Sequence, residues 1–330
     1  MEYIQYDPSI SGVPKIIVDG FDCGEGLHLS HWPGNLTPHE LKADLSVEIV
    51  LNFLTKSNLQ QQRAYELVTN DHYDTDGVLA IWALMNKEKA LAHAATIINY
   101  AETSDFYEWT TLEAFKFDCI IRALPDPECS PIKEALNGKS EAERETAATR
   151  YVLEKLPDLL YKTDSHKELW EGPLNELQSK IDLLNSSQIS VQEYIETSLS
   201  VIFTPVQLDN FARNLFCKGL RILEVVATSD GYRYALYHRE YLWYDIVKRP
   251  TLPKPNLFDL IDKLDELEAN PNGKWSRTKW SPALFFINAE SRMTDPGFAY
   301  YKSEKVDSKI EPSQLILMLI AELSRFEHSL

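Results

Sequence analysis

The chain has few cysteines, a deficit of basic residues and no long apolar run. Its four cysteines lie far apart without a Cys-x-x-Cys pair, which excludes a zinc ribbon and a disulfide scaffold. No apolar stretch approaches the ~20 residues that span a bilayer. The first residues lack a basic segment followed by an apolar core, so no signal peptide is predicted. We therefore expect a cytoplasmic protein with reduced cysteines and no membrane partner.

Acidic residues outnumber basic residues by 50 to 33, giving a formal net charge of −17. Such a surface repels phosphate backbones, so we do not expect a long nucleic acid as a partner. A small phosphorylated substrate is compatible with this charge, because a bound metal supplies local positive charge. Solubility alone is an equally simple explanation of the acidity. The sequence also allows a homodimer.

The first hundred residues alternate between strand-like and helix-like segments. Apolar runs predict strands, and apolar residues at helical spacing predict helices. The predicted elements are 13–20 (strand), 26–35 (strand running into a turn), 44–54 (helix), 64–69 (strand), 77–85 (helix) and 87–102 (helix). This order predicts an α/β fold with a mainly parallel sheet flanked by helices. Ligands of such sheets gather at the carboxyl ends of strands. Polar clusters fall at three of those ends, at Asp19, at His31 and at His72–Asp76.

The rest of the chain divides into a helical middle and a strand-rich end. A capping box at Ser140–Glu143 begins a long amphipathic helix, and similar patterns predict helices over 166–184 and 191–201. A hairpin turns at Ser229–Gly231. Further strands are predicted over 241–247 and 283–287, and further helices over 257–267 and 313–326. We expect an α/β domain with a helical extension over 1–190 and a smaller α+β domain over 191–330.

The segment His72-Tyr73-Asp74-Thr75-Asp76-Gly77 is the most informative part of the chain. Two ionised carboxylates held close repel each other, and a divalent cation removes that repulsion. Imidazole and carboxylate ligands suit Mn²⁺ or Mg²⁺, and such ions activate water for attack on phosphorus. Two metals need more ligands than this loop offers. The nearest candidates are Asp19 or Asp22 and His31 or His28.

The same residues have simpler interpretations. The loop is also compatible with a turn and a helix N-cap, in which Asp76 accepts backbone N–H groups. His31, beside Trp32, is compatible with a packed, hydrogen-bonded histidine. A calcium loop of the EF-hand type is excluded, because its third oxygen ligand and its glutamate at the twelfth position are absent.

The loop resembles the first motif of the DHH phosphoesterase superfamily, a strand followed by Asp-x-Asp with a histidine before it and often a glycine after it. That superfamily includes RecJ-like exonucleases, manganese-dependent inorganic pyrophosphatases and enzymes that hydrolyse short oligonucleotides or cyclic dinucleotides. Its naming Asp-His-His motif is absent downstream of Asp76. Leu29–Asn35 resembles that motif in shape, with Ser30 and Trp32 in place of the acid and second histidine. Ile16–Gly20 resembles the strand that ends in a bridging aspartate, which implies a permuted order.

A second resemblance is to an uncharacterised cyanobacterial-type family that shares Ser-His-Trp-Pro-Gly-Asn and His-Tyr-Asp-Thr-Asp-Gly. It covers most of the first hundred residues and brings no known activity. The DHH resemblance implies hydrolysis of a phosphoester or phosphoanhydride in a small, nucleotide-like substrate. It implies one or two Mn²⁺ or Mg²⁺ ions on Asp19, His31, His72, Asp74 and Asp76.

The resemblance also implies roles for individual residues. Asp74 and His31 are the catalytic candidates, His31 acting as general acid to the leaving group if it is not a ligand. The region 191–330 would form a substrate lid that grips phosphate, with the candidates His238, Arg239, Lys274 and Arg277. The rival hypothesis is a non-catalytic binding or regulatory protein with a degenerate DHH-like fold. It predicts that Asp74 and Asp76 only cap a helix.

Overall fold

The protein divides into two compact units in a computed structural model that describes residues 1–21, 23–252, 255, 257–277, 284–288 and 306–327. The first unit contains Met1–Glu176 and Tyr244–Pro250, and the second contains Leu177–Trp243 and Thr251–Leu330. The short segment Tyr244–Pro250 therefore belongs to the first unit, although the chain on either side of it belongs to the second. Among the described helices, none combines the length and apolar character needed to cross a membrane.

The first unit is built on a parallel sheet with the strand order β1-β4-β2-β3. Its strands are β1 (Glu2–Tyr3), β2 (Ile16–Val18), β3 (Leu27–Leu29) and β4 (Leu67–Thr69). Ile16 lies opposite Leu27 on one side and Val68 on the other. All residues of β2 are buried, as is typical of a parallel strand covered on both faces. The prediction of an α/β fold with a parallel sheet is confirmed.

The first unit also contains the helices α1 (Ser46–Lys56), α2 (Leu59–Gln62), α3 (Thr75–Met85), α4 (Lys87–Ala92), α5 (Ala94–Phe106), α6 (Leu112–Ala123), α7 (Lys133–Leu136) and α8 (Glu141–Leu159). The helix α9 (Lys167–Asn185) begins in the first unit and continues into the second. The helix α3 is buried from Thr75 to Leu84 and packs against α1 and α5. The single helix predicted over 87–102 is instead two helices, because the backbone at His93 leaves the helical region at φ −114° and ψ 17°.

The second unit contains a mixed sheet with the strand order β5-β6-β7-β8-β10-β9. Its strands are β5 (Ser190–Tyr194), β6 (Leu199–Thr204), β7 (Arg221–Ala227), β8 (Tyr232–His238), β9 (Gly273–Arg277) and β10 (Leu284–Asn288), and its further helices are α10 (Asn210–Phe216), α11 (Phe258–Leu267) and α12 (Pro312–Glu327). The pair β6–β7 is parallel, and the pair β7–β8 is the predicted hairpin. Leu223, Tyr234 and Trp275 of the sheet share one buried core with Leu260 and Leu319 of α11 and α12.

Two elements predicted in this region are wrong. The residues 191–201 form parts of the strands β5 and β6, joined by a short 3-10 helix at Ile195–Thr197, rather than one long helix. Strand-forming residues pair antiparallel here, from Ser190↔Phe203 to Tyr194↔Leu199. The residues 241–247 do not form a strand: Glu240–Trp243 is a short 3-10 helix, and Tyr244 begins the segment that belongs to the first unit. Both neighbours of β8 in the sheet are already other strands, β7 and β10.

Candidate metal centre

Three parallel strands of the first unit end side by side, and each is followed by polar residues. Asp19 comes directly after β2, His31 lies two residues after β3, and Asn70 begins the loop after β4. Asp19 has a φ of +48°, in the left-handed region that aspartate enters more readily than most residues. A backbone of this kind at a strand end is a frequent feature of functional sites.

Two groups of potential ligands share Asp19. The deep group consists of Asp19, His31, Asp76 and Asp105, all buried, and the outer group consists of Asp19, His72 and Asp74, of which the last two are partly exposed. Within each group the ligand atoms lie within 4.8 Å of one another. Asp19 Oδ1 is 3.2 Å from His31 Nε2, and Asp19 Oδ2 is 3.3 Å from His72 Nε2. One carboxylate therefore faces both groups with different oxygens.

His31 is oriented toward the deep group by its other ring nitrogen. Its Nδ1 lies 2.6 Å from the backbone carbonyl of Asp44. A carbonyl only accepts, so the hydrogen-bond network assigns the proton to Nδ1 and leaves Nε2 facing the acids. His31 Nε2 is 3.4 Å from Asp105 Oδ2 and 4.0 Å from Asp76 Oδ2. The ring is also stacked on Tyr244, with centroids 4.0 Å apart.

His72 has a matching arrangement in the outer group. Its Nδ1 is 2.9 Å from Asp71 Oδ1, and its Nε2 is 3.0 Å from Asp74 Oδ2. Asp71 is itself fixed, because its Oδ2 accepts the backbone N–H of Phe21 at 3.1 Å. A carboxylate or carbonyl behind the ring of a histidine is the usual support of a metal-ligating histidine. Both histidines have it.

The two acids of the loop also cap helices. Asp74, rather than Asp76, caps α3, its Oδ1 accepting the N–H of Gly77 at 2.8 Å. Asp76 accepts the N–H groups of Ser46 and Val47 at 2.6 and 2.8 Å, at the start of α1. Asp74 Oδ2 stays directed at His72. The capping that sequence allowed is therefore present, but it does not account for the whole arrangement.

Gly77 permits the acids to approach. A Cβ at this position would lie 2.8 Å from Asn70 Nδ2, 3.1 Å from Asp74 Oδ1 and 3.2 Å from Asp19 Oδ2. Contacts this short would require these groups to move apart. The glycine that follows the second acid is thus needed by the packing of the two groups.

Buried polar atoms without a good hydrogen bond are concentrated here. Asp19 Oδ2, His31 Nε2 and Asp105 Oδ2 are three such atoms, and Asn70 Oδ1, beside them in the loop, is a fourth. A buried polar atom left unpaired costs free energy, so several in one place require an explanation. A divalent cation that takes these oxygens and this nitrogen as ligands provides one, and O/N donor sets suit Mn²⁺ or Mg²⁺. The residues fit such an ion.

The pKa values of the cluster follow from burial and crowding. Burial and the neighbouring Asp19 raise the pKa of Asp76 to about 8. Burial, with Asp74 and Asp76, raises the pKa of Asp105 well above its ordinary value. Burial opposes ionisation of Asp19, but His31 and His72 hold its pKa below the usual range. Burial opposes the charge of both histidines, yet the surrounding acids raise their pKa values. Protons thus supply charge that a cation could replace.

The structure brings together all five predicted metal ligands, Asp19, His31, His72, Asp74 and Asp76. His28 lies within β3 and is in neither group among the described residues, and Asp22 lies outside the described residues. Sequence reasoning missed Asp105, because it ended the predicted helix at 102. The signal was the polar run Thr103-Ser104-Asp105, which is buried at the end of α5.

The four predicted phosphate-binding residues occur in the second unit. His238 ends β8 and is half-buried, and Lys274 is an exposed residue of β9, the strand that Arg277 ends. Arg239 donates to the carbonyls of Gly219 and Asn214 at 3.2 and 3.1 Å, and also to that of Cys217. These bonds hold the backbone beside β8. The phosphate-binding role of the four residues stays a prediction.

Comparison with protein families identifies a match over most of the chain. The family described as "Family of unknown function (DUF6687)" matches residues 1–314, which include every candidate ligand. Comparison with curated proteins and with solved structures gives no significant match. The functional inference therefore depends on the geometry and chemistry of the site.

Proposed function

Because the chain belongs to this family, whose description assigns no activity, we propose from its site that the protein is a Mn²⁺- or Mg²⁺-dependent phosphoesterase of a small phosphorylated, nucleotide-like substrate. The observation that carries the proposal is Asp19, shared by the deep and outer groups. The two groups together contain four carboxylates, whose charge two divalent cations would balance. Pairs of metal ions close together are characteristic of enzymes that cleave phosphate esters.

Each group would hold one cation. Asp19, His31, Asp76 and Asp105 would form the deep site, and Asp19, His72 and Asp74 the outer site. When bound, the cations supply Lewis acidity that lowers the pKa of water and offsets charge on a phosphoryl oxygen. The protein positions the ligands through the Asp44 carbonyl and the Asp71 carboxylate.

Exposure distinguishes the two groups. The side chains of His31 and Asp19 are fully buried, whereas those of His72 and Asp74 are 29% and 26% exposed. A substrate phosphate would therefore reach the outer group first. Among the four carboxylates, Asp74 is the most exposed candidate for a catalytic role next to the bound phosphate. For His31, burial and the direction of Nε2 favour a ligand over a general acid.

The DHH-like arrangement is part of this proposal. Its permuted form requires the segment after β3 and the loop after β4 to meet, and the rings of Trp32 and His72 have centroids 4.8 Å apart. Asp19, at the end of β2, faces both. This proximity supports the resemblance.

The non-catalytic alternative is supported by the capping bonds of Asp74 and Asp76. In that alternative the two acids only fix α3 and α1, and protons permanently balance the cluster. It leaves unexplained why three atoms of the deep group lack good hydrogen bonds. It also predicts no metal affinity.

Calorimetric titration of the metal-stripped protein with Mn²⁺ tests the proposal. We expect binding of up to two ions at micromolar or tighter affinity, and Mn²⁺-dependent cleavage of phosphomonoester, phosphodiester or pyrophosphate substrates. Asp74→Ala should lose the outer site and turnover. Asp158→Ala is the matched control, because Asp158 is an exposed acid of α8 that pairs only with Lys162 among its described ion pairs.

The outcomes separate the two hypotheses. Tight binding that Asp74→Ala weakens and Asp158→Ala does not, together with turnover, supports the enzyme. Tight binding without turnover on any substrate class supports a metal-dependent binding protein. Absence of Mn²⁺ and Mg²⁺ binding would refute both metal roles and support the non-catalytic alternative, in which Asp74 and Asp76 only cap helices.

A further inference from the structure

A segment from late in the chain lies on the metal centre of the first unit. This segment, Tyr244–Pro250, is here named the strap. It follows the 3-10 helix at Glu240–Trp243, and the chain leaves the first unit again after Pro250. None of the six residues of the deep and outer groups lies in it, yet its contacts converge on His31 and on the residues that flank Asp105.

The first set of contacts fixes His31. The ring of Tyr244 stacks on the imidazole at 4.0 Å and 17° between planes. The backbone N–H of Asp245 donates to the carbonyl of His31 at 2.7 Å. Asp245 is held in turn by Asn35 at 3.1 Å and by an ion pair with Lys42. The strap therefore covers one face of the ligand ring and also binds its backbone.

Asp44 connects the strap to the same histidine by another route. Its backbone carbonyl is the acceptor for His31 Nδ1 at 2.6 Å. Its carboxylate accepts the backbone N–H groups of Val247 and Lys248 at 2.6 and 2.8 Å. Movement of the strap would thus displace the residue that sets the orientation of His31.

The third set of contacts fixes the end of α5, which carries Asp105. Arg249 forms ion pairs with Glu102 and with Glu108, the latter at 2.7 Å. Its guanidinium also lies 4.4 Å from the ring centre of Phe106. These partners flank Asp105 on both sides along the chain. Arg249 joins them, and it places positive charge where Glu102 and Glu108 would otherwise repel the deep group.

We propose that the strap is part of the metal centre, with Tyr244 and Arg249 as positioning residues for His31 and Asp105. This inference rests on the metal binding proposed above. The deep group needs two ligands from distant elements, β3 and α5, held within 3.4 Å of each other. The strap is bonded to both elements. Binding of a cation and attachment of the strap therefore stabilise each other, and the coupling is reciprocal.

Two variants and two controls test the strap. Tyr244→Leu removes the stacked ring, and Arg249→Gln removes the charge at the end of α5. Tyr244→Phe keeps the ring. Lys248→Gln alters the same segment at an exposed side chain whose ion pair, with Glu48, touches neither His31 nor α5. Substitution of residues that hold metal ligands in place typically lowers metal affinity by about 10–100-fold.

Three measurements apply to each full-length variant: Mn²⁺ affinity by calorimetry, the absorption spectrum of the Co²⁺-loaded protein, and amide hydrogen exchange with and without metal. We expect Tyr244→Leu and Arg249→Gln to lose about 10–100-fold in affinity and to change the Co²⁺ spectrum. We expect Tyr244→Phe and Lys248→Gln to behave as the wild type. In the wild type, metal should slow exchange at Val247 and Lys248.

Opposite results would overturn the inference. If the wild type binds Mn²⁺ and both variants bind it equally well, the strap has no positioning role, while the proposed function stands. Equal losses in all four variants would indicate general destabilisation instead. If a variant fails to fold, the exchange experiment on the wild type decides, because unchanged protection of the strap on metal addition contradicts the coupling. A wild type that binds no metal would remove both proposals.

Discussion

Both units bury charged side chains, but they balance the charge in different ways. In the second unit, Glu224 and Arg213 are buried 3.8 Å apart, and the guanidinium lies 3.7 Å from the ring centre of Tyr237. Glu224 also accepts the N–H of Leu208 at 2.6 Å. This is a charge pair assembled from opposite signs within the fold. Such a pair has a structural explanation that needs no ligand.

The cluster of the first unit lacks that balance. Three buried carboxylates of the deep group surround one imidazole, and atoms of three of the four residues lack a good hydrogen bond. Like charges so close oppose folding unless protons or a cation intervene. The difference supports the proposed function, because the pair of opposite charges needs no ligand, whereas the crowded carboxylates favour a cation.

The largest expected effect comes from Asp19→Asn. The substitution keeps the shape and tolerates the φ of +48°, but it removes the charge that both groups share. We expect Mn²⁺ affinity to fall at least about 100-fold, which corresponds to about 2.7 kcal/mol. Because His31 and His72 hold the pKa of Asp19 below its usual range, the folded state favours this carboxylate, and the metal-free variant should unfold at a lower temperature than the wild type.

Calorimetric titration and thermal unfolding in chelator together check this prediction. Unchanged affinity would show that Asp19 is not a ligand. A metal-free variant more stable than the wild type would show that repulsion of Asp19 by Asp76 and Asp105 outweighs its attraction to the two histidines.

The next largest effect is expected in the second unit, where a substitution should change stability without changing metal affinity. Glu224→Ala leaves Arg213 without its buried counter-charge and the N–H of Leu208 without its acceptor. We expect a loss of about 3 kcal/mol in the free energy of unfolding, measured with urea, and no change in Mn²⁺ affinity. Glu154→Ala, at an exposed side chain of α8, is the control and should change stability by less than about 0.5 kcal/mol. A Glu224→Ala variant as stable as the wild type would contradict the structural role assigned to the Glu224–Arg213 pair.

The pH dependence of metal affinity sharpens the contrast. In the metal-free protein the pKa of Asp76 is raised to about 8, so this carboxyl still carries a proton at neutral pH. A cation must displace that proton and the protons of His31, His72 and Asp105, whose pKa values are also raised. Affinity should therefore rise with pH through the neutral range. The slope should approach about tenfold per pH unit for each proton released. Calorimetry in buffers of different ionisation enthalpy counts the protons, and a flat affinity between pH 6 and 8 would contradict the protonated state.

The sequence was a good guide wherever local pattern and fold agreed. The apolar runs before Asp19, His31 and Asn70 predicted strands, and the parallel sheet places their ends together. The ligand types in the loop then predicted a metal site. The prediction that these strand ends converge succeeds because a parallel sheet aligns the carboxyl ends of its strands whatever the surrounding helices do. The metal site itself stays a prediction.

The remaining features depend on contacts distant in sequence. Asp105 belongs to the deep group only because α5 packs against α3, and no local pattern reports that packing. The first residues of the strap were predicted to belong to a strand, because Tyr241–Val247 is rich in aromatic and apolar residues. Its tyrosine instead covers His31. Residues 191–201 show the same limit, since their spacing suited a helix while their β-branched and aromatic residues found strand partners.

The smallest effect is expected from adding a methyl group at Gly77, beside the candidate ligands, compared with the same change at Gly172, away from them. Gly77→Ala places a Cβ 2.8 Å from Asn70 Nδ2, 3.1 Å from Asp74 Oδ1 and 3.2 Å from Asp19 Oδ2, so these three groups must shift away from it. We expect about tenfold weaker Mn²⁺ binding, equivalent to about 1.4 kcal/mol. The matched control is Gly172→Ala in α9, where nothing lies within 4 Å of the new Cβ. Alanine is the better helix former, so the control should gain about 0.5–1 kcal/mol in stability and keep its affinity. If both variants keep wild-type affinity, the glycine after the second acid serves the helix alone, and the close approach of Asp19 and Asp74 is not required for binding.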